Sequence, residues 1–206
     1  LLVFTIDTLV ALLYPFAPQQ DVFSIVPYSL LSKLQRPKSF IAGVPAVYRA
    51  ESHRRVKDSD VVEVDLDLGT ITPNAAPCLP PYPRALSVRL HSELSAIYKE
   101  RSIGLDAVGN EPYDDRCYAH AAATFNMKIR VTFFRFITAL MDGYTRFVDF
   151  VWVADHPKPF YDIYGFLATK AADCEPLLRV FCSTRAFDDF VQRSLETSST
   201  VFNEWI

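Results

Sequence analysis

Two acidic side chains end an apolar segment, and their types and spacing could support chemistry. In Val62-Glu-Val-Asp65-Leu-Asp67 the two aspartates lie two residues apart. If the segment is a strand, side chains at i and i+2 point to one side, where two carboxylates could hold a divalent cation. The same carboxylates could instead cap the strand end by accepting hydrogen bonds from backbone N–H groups of the following turn.

The cation interpretation predicts a magnesium-dependent phosphohydrolase with Asp65 as nucleophile and Asp67 as general acid/base. The pattern is similar to that of haloacid-dehalogenase-like phosphohydrolases, but Gly69 stands where their motif has Thr or Val. Nucleotide-sugar glycosyltransferases bind manganese with such a pair, but no segment upstream of it could cradle a nucleotide. The sequence therefore favours turn capping and keeps the phosphohydrolase as an alternative.

Composition argues against several other kinds of site. The 206 residues carry a formal net charge of −3, without the excess of Lys and Arg that a nucleic-acid surface needs. The segment from Gly104 to Gly109 lacks the Lys-Ser/Thr pair that completes a phosphate loop. Cys117 and His120 have ligand-like spacing, but no second pair accompanies them. We therefore expect no nucleic-acid partner, no cofactor, no metal site, and four reduced cysteines.

The elements that must position these residues change in character along the chain. Alternating and β-branched segments predict strands at 21–26, 40–44 and 60–67, with a turn at Gly69 into 70–72. Apolar residues at helical spacing predict helices at 30–35, 86–97, 129–151, 159–169 and 185–195. Polar composition predicts surface loops at 49–60 and 100–115, and five prolines predict a stiff connector at 73–83.

This order predicts an α/β fold, with a small sheet lobe and flanking helices followed by a helical lobe. We place the first lobe at residues 1–100 and the helical lobe at 101–206. The apolar run 1–13 is too short to span a membrane, which takes roughly 20 helical residues, and should form a buried helix ending at Pro15. The chain begins without Met, so we expect a fragment of a larger protein.

Six short segments, in order, resemble the central and downstream parts of a DENN domain. They lie at 11–16, 24–31, 37–44, 60–67, 79–83 and 166–190. Segments 13–16 and 61–70 are most similar to the DENN copy of myotubularin-related pseudophosphatases. The family's N-terminal longin-like lobe, and the strand that opens its central lobe, have no counterpart here. Pro18 also stands in a stretch where many members carry an aromatic residue. The resemblance therefore implies a partial DENN module.

That resemblance implies guanine-nucleotide exchange on Rab GTPases in membrane trafficking, by non-covalent binding without a chemical active site. The implied partners are a Rab-family small GTPase and the other lobes of the module, with peripheral membrane association through the full-length protein. The implied location is the cytoplasm, at the cytosolic face of membranes. In this family the GTPase docks between the longin-like and central lobes, so the fragment would supply part of the contact. A DENN-like interaction scaffold without exchange activity is an alternative.

Two sets of residues follow from these inferences. The first should contact the partner, from the charged segment after residue 48 and the rim of the acidic strand: Arg49, His53, Arg54, Arg55, Lys57, Asp65, Asp67 and Thr70. The second carries the resemblance and should act as a fold signature: Pro15, Phe16, Pro27, Gly43, Leu66, Pro80, Pro81, Phe187 and Phe190.

Overall fold

The computed structural model describes residues 2–35, 39–55, 61–73, 80–108, 115–153 and 156–196. The chain divides into two units, Leu1–Pro80 and Pro81–Ile206. The lobe boundary predicted after residue 100 falls inside a helix of the second unit that continues to Val108. Within the described residues, helices accompany small two-stranded sheets, so the predicted mixed α/β class is confirmed.

A parallel pair of short strands forms the centre of the first unit. Helix α1 (Leu2–Leu12) precedes β1 (Asp21–Phe23), which pairs in parallel with β2 (Phe40–Ala42). A 3₁₀ helix, Tyr28–Gln35, lies between the strands in sequence. Its apolar side chains meet the sheet in a core whose buried residues are Val26, Leu31 and Leu34. Both strands are shorter than predicted, and they lie where the β-branched segments placed them.

Helix α1 forms as predicted, but it is not the buried helix that its apolar composition suggested. Ile6 is buried, whereas Phe4 is 76% exposed. The helix ends at Leu12, before the restricted position that precedes Pro15. Within the described residues of this unit, α1 is covered on the side that bears Ile6. Apolar composition therefore predicted a helix correctly and its burial wrongly.

A helix replaces part of the loop predicted at 49–60. Helix α2 (Arg49–Arg55) follows a short 3₁₀ turn, Ala46–Tyr48. Glu51 pairs with Arg55 one turn later, with 2.7 Å between Oε1 and Nε, and such i,i+4 pairs stabilise helices. The charged composition that suggested a loop therefore stabilises a helix here. Residues 56–60 lie outside the described residues.

An antiparallel hairpin completes the described part of the first unit. Strand β3 (Val62–Asp65) pairs with β4 (Thr70–Pro73), and Val64 lies opposite Ile71. The turn at 66–69 ends with Gly69, whose φ of +64° lies in the left-handed region that glycine tolerates best. The predicted turn at Gly69 is confirmed, but β3 ends at Asp65, so Asp67 lies in the turn.

Two long helices begin the second unit. Helix α3 (Arg84–Val108) continues through much of the segment predicted as a loop at 100–115, and helix α4 (Asp115–Met141) begins at its last residue. Residues 109–114 lie outside the described residues. Tyr82 packs on Phe136, and Glu100 pairs with Lys128, so the two helices run antiparallel. No helix within the described residues is long and apolar enough to cross a membrane.

The apolar stripe predicted as one helix over 129–151 is divided by Gly143. Its φ of +74° ends α4, and a 3₁₀ turn at Tyr144–Phe147 leads into strand β5 (Val148–Val153). Strand β6 (His156–Tyr161) pairs with it in antiparallel fashion. The helix predicted from 159 is therefore wrong at its start. Helical spacing alone did not show this hairpin, because the apolar residues of β5 continue the periodicity of α4.

Three short helices close the described chain around an aromatic core. They are α5 (Ile163–Ala168), α6 (Glu175–Cys182) and α7 (Arg185–Glu196), the last as predicted. The core includes the buried side chains of Met141, Tyr144, Phe166, Leu178, Cys182, Phe187, Phe190 and Val191. Cys182 is a free thiol, and burial raises its pKa to about 12, so it stays protonated at neutral pH.

Candidate protein-interaction surface

Helix α2 and strand β3 face each other through charged side chains. Arg49 and His53 lie one turn apart on α2, and Glu63 and Asp65 lie on the same side of β3. Arg49 Nε is 3.0 Å from Glu63 Oε1, and Arg49 Nη1 is 2.7 Å from Asp65 Oδ2. His53 Nε2 lies 2.7 Å from Glu63 Oε2. We call these four residues the α2–β3 ion-pair cluster; it attaches the hairpin to the helix.

Asp65 is the most fully engaged member of the cluster. Its Oδ1 accepts hydrogen bonds from the backbone N–H groups of Asp67 and Leu68, both at 3.0 Å. These bonds, with that of Leu68 the strongest influence, and the nearby Arg49 guanidinium lower the pKa of Asp65. The turn-capping interpretation is therefore confirmed for Asp65. Its Oδ1 holds the turn, and its Oδ2 accepts from Arg49.

The remaining predicted contact residues have different surroundings. Arg55 pairs with Glu51, and its guanidinium lies 5.8 Å from the centre of the Tyr28 ring. Arg54 is more exposed, with 77% of its side chain accessible and Glu51 at 3.5 Å. Thr70 is exposed opposite Asp65 at the start of β4. Asp67 is exposed in the turn, and Lys57 lies outside the described residues.

The other side of the hairpin presents apolar side chains to solvent. Val62, Val64 and Ile71 are 50%, 52% and 68% exposed, and Leu68 in the turn is 70% exposed. We call these four residues the apolar hairpin face. A half-exposed hairpin normally turns its apolar side inward, but here the acidic side faces α2 and the apolar side faces out. Val62 and Val64 were not among the predicted contact residues. The alternation of valine with acidic residues along β3 was the signal that could have identified them.

The fold-signature residues lie mostly in turns and in the apolar cores of the two units. Phe16 is buried, the peptide bond before Pro15 is cis, and Pro27 accepts a hydrogen bond from Leu30 N–H at the start of a 3₁₀ helix. A side chain at Gly43 would collide with the Ser24 carbonyl oxygen. The others are distributed as follows: Leu66 half-buried in the hairpin turn, Pro80 and Pro81 at the unit boundary, and Phe187 and Phe190 in the aromatic core.

Residues 1–69 match the family model of the DENN (AEX-3) domain. The match spans α1, both strands of the parallel sheet, α2, β3 and the hairpin turn, and it supports a DENN domain in this part of the chain. DENN domains are generally non-catalytic modules linked to guanine-nucleotide exchange on Rab GTPases. The similarity to the copy in myotubularin-related proteins, and the assignment of residues beyond 69 to the downstream DENN segment, stay predictions.

Proposed function

We propose that this chain is part of a guanine-nucleotide exchange module for Rab GTPases, acting by protein–protein binding. The observation that carries the proposal is the match of residues 1–69 to the DENN domain. The matched residues include three of the four members of the apolar hairpin face. An exposed apolar patch on an otherwise polar surface is typical of a protein-binding site. Ile71, two residues beyond the match, extends the same side of the hairpin.

Exchange of this kind needs no bond to be made or broken in the exchange factor. A factor that binds the nucleotide-free GTPase more tightly than the loaded GTPase shifts the population toward the empty state, and nucleotide then leaves faster. The chain would contribute a firmly held contact surface. The α2–β3 ion-pair cluster holds the hairpin from its polar side, so the apolar hairpin face can be covered by a partner without rearrangement.

Charged groups at the edge of this surface would supply orientation more than affinity. Arg54 is well exposed, and Asp67 is exposed in the turn beside Leu68. Exposed charges steer association and penalise wrong partners, whereas apolar burial provides most of the binding free energy. Arg49, His53 and Arg55 would act indirectly, because their side chains already contact carboxylates within the unit.

The phosphohydrolase alternative finds no support in the geometry of the acidic pair. Asp65 Oδ2 accepts a hydrogen bond from Arg49 at 2.7 Å, and Asp65 Oδ1 accepts two from the turn, so both oxygens are engaged within the unit. Asp67 does not continue the strand, so the two carboxylates do not share a strand face. Hydrolysis of p-nitrophenyl phosphate by the purified chain, lost in Asp65→Asn, would restore that alternative.

Binding to a panel of Rab GTPases, each nucleotide-free or loaded with GDP, tests the proposal. We expect weak binding that favours the nucleotide-free form of one or a few members. Val64→Asp should weaken that binding about tenfold or more, because it places a charge in the apolar hairpin face. Val88→Asp is the matched control, since Val88 is 63% exposed on α3 of the second unit.

Release of a fluorescent GDP analogue separates exchange from simple binding. We expect this chain to accelerate release slightly, because the other lobes of the module should supply the rest of the contact. Binding without preference for the nucleotide-free form would favour the interaction scaffold. If no member of the panel binds, or if Val64→Asp and Val88→Asp have equal effects, the proposed surface is wrong.

A further inference from the structure

A groove lies between α3 and α4 in the second unit. Its volume is about 550 Å³. Half-buried apolar side chains from both helices line its floor, and they include Leu94 and Ile97 of α3 and Phe125 and Ile129 of α4. Binding sites of roughly 300–1,000 Å³ are common in proteins, so the groove is large enough for several apolar side chains of a partner.

The rim of the groove is polar and carries positive charge. His91 and Lys99 of α3 are exposed at this rim. Beside it, Glu100 is neutralised by an ion pair with Lys128 of α4. Among the described residues that line the groove, none is acidic. The groove therefore combines an apolar floor with a rim whose permanent charge is that of Lys99.

The direction of the groove follows the two helices that form it. His91 and Lys99 are eight residues apart, which corresponds to about 12 Å along α3 at 1.5 Å per residue. Phe125 and Ile129 lie one turn apart on the antiparallel α4. An elongated apolar groove between two helices suits an amphipathic helix, whose apolar residues recur every three or four positions.

We propose that this groove binds an amphipathic helix of a partner protein that carries acidic residues beside its apolar face. The apolar residues of that helix cover Leu94, Phe125 and Ile129, and its acidic residues lie beside Lys99. Charge complementarity favours an acidic helix over a basic one, because the exposed Lys99 at the rim attracts carboxylates and repels cations. This second site rests on the groove between α3 and α4 and not on the apolar hairpin face, so its test is separate from that of the proposed function.

Fluorescence anisotropy with two labelled peptides of about 18 residues tests the proposal, a length at which isolated helices can form in water. Both peptides carry leucines at helical spacing; one has Glu and the other Lys at the flanking positions. We expect the intact 206-residue chain to bind the Glu peptide more tightly. Lys99→Glu should weaken Glu-peptide binding about fivefold and strengthen Lys-peptide binding, because it reverses an exposed charge at the rim.

Lys33→Glu is the matched control, because it makes the same charge change at an exposed residue of the first unit. We expect it to leave both affinities unchanged, and circular dichroism will show whether each variant is folded. Equal binding of the two peptides, or equal effects of Lys99→Glu and Lys33→Glu, would overturn the proposal. Displacement of the Glu peptide by dodecanoate at the same concentration as the peptide would also overturn the proposal, because it would assign the groove to a fatty acid. Dimerisation in light scattering, abolished by Lys99→Glu, would assign it to a second copy.

Discussion

The two units of this protein use opposite sides of their hairpins to attach them. In the first unit, Glu63 and Asp65 of the β3–β4 hairpin meet the charged side of α2. In the second unit, β6 brings Tyr161 against the core, with its ring 4.9 Å from that of Phe187 and 5.7 Å from that of Phe166. The first hairpin is held through its acidic side chains, whereas the second is held through the ring of Tyr161. Both leave apolar side chains exposed: Val62 and Val64 in the first, and Phe150 and Phe160 in the second.

The two kinds of attachment should differ in strength and in their response to solvent. Burying one large apolar side chain contributes about 1.5–3 kcal/mol, whereas an exposed ion pair contributes about 0–1 kcal/mol. Ion pairs also weaken with salt and with protonation of their carboxylates. We therefore expect a robust second unit and a hairpin in the first unit that responds to salt and pH.

The largest expected effect comes from Phe187→Ala. Phe187 is 1% exposed at the centre of the aromatic core, so its truncation should lower the free energy of unfolding of the second unit by about 3–5 kcal/mol. Urea denaturation followed by far-ultraviolet circular dichroism can measure this loss, because the longest helices, α3 and α4, belong to that unit. Tyr164→Ala is the control, since Tyr164 is 77% exposed. Equal losses in the two variants would show that the core does not depend on Phe187.

A smaller, salt-dependent effect is expected from Arg49→Ala. The change removes both contacts of Arg49 to β3, and because its side chain is 46% exposed we expect a loss of about 1 kcal/mol. Amide hydrogen exchange over residues 62–73 should become about fivefold faster, and about 1 M salt should reduce the difference. Arg54→Ala, which removes an exposed arginine from the same helix, should leave this exchange unchanged. A salt-independent loss would contradict an electrostatic attachment.

Asp65 should make hairpin stability depend on pH. Its pKa is lowered in the folded chain, so its charged form favours folding above its ordinary pKa of 3.8. That contribution is lost as the pH falls through the lower folded-state pKa. Asp65→Asn keeps an acceptor oxygen without the charge. After correction for intrinsic rates, we expect slower amide exchange in the wild type than in the variant at about pH 6. The two should converge as the pH falls below the lowered folded-state pKa of Asp65. If the difference in exchange rate between the wild type and Asp65→Asn stays constant as the pH falls, the charge of Asp65 is not the cause of that difference.

The smallest expected effect on stability is that of Val64→Thr. Val64 is 52% exposed on the apolar hairpin face, and threonine keeps the β-branched shape that strands favour. The free energy of unfolding should change by less than about 0.5 kcal/mol. A loss above about 2 kcal/mol would show that this face is packed within the unit rather than available to a partner. Hydrogen exchange over β3 and β4 can measure the change.

Local patterns predicted the elements whose causes are local. The Gly69 turn, the end of α1 before Pro15 and the span of α7 follow from residues within a few positions of each element. The errors arose where two rules competed. The charged composition of the segment from residue 49 is typical of a loop, but it also allows Glu51 and Arg55 to pair one helical turn apart. The segment forms a helix with that pair. The stripe after Ile129 kept its helical spacing beyond Gly143, where the backbone changes to a strand.

The candidate surface was only partly predictable for a related reason. Alternation places Glu63 and Asp65 on one side of β3 and the two valines on the other. It does not show which of these sides packs against the rest of the unit. The position of α2 decided this, because Arg49 and His53 approach the acidic side and leave the apolar side exposed. The predicted contact set therefore included several cations that pair within the unit and omitted the valines.

The amino-acid sequence is enough to predict the acidic–apolar alternation of β3, its turn, and the resemblance to a DENN domain. These properties depend on composition and on short-range spacing. The hydrogen bond from Arg49 to Asp65 and the exposure of Val62 and Val64 could be seen only once α2 and β3 were placed together. Burial and ion pairing depend on which distant segments meet, and no local pattern within β3 records the position of α2.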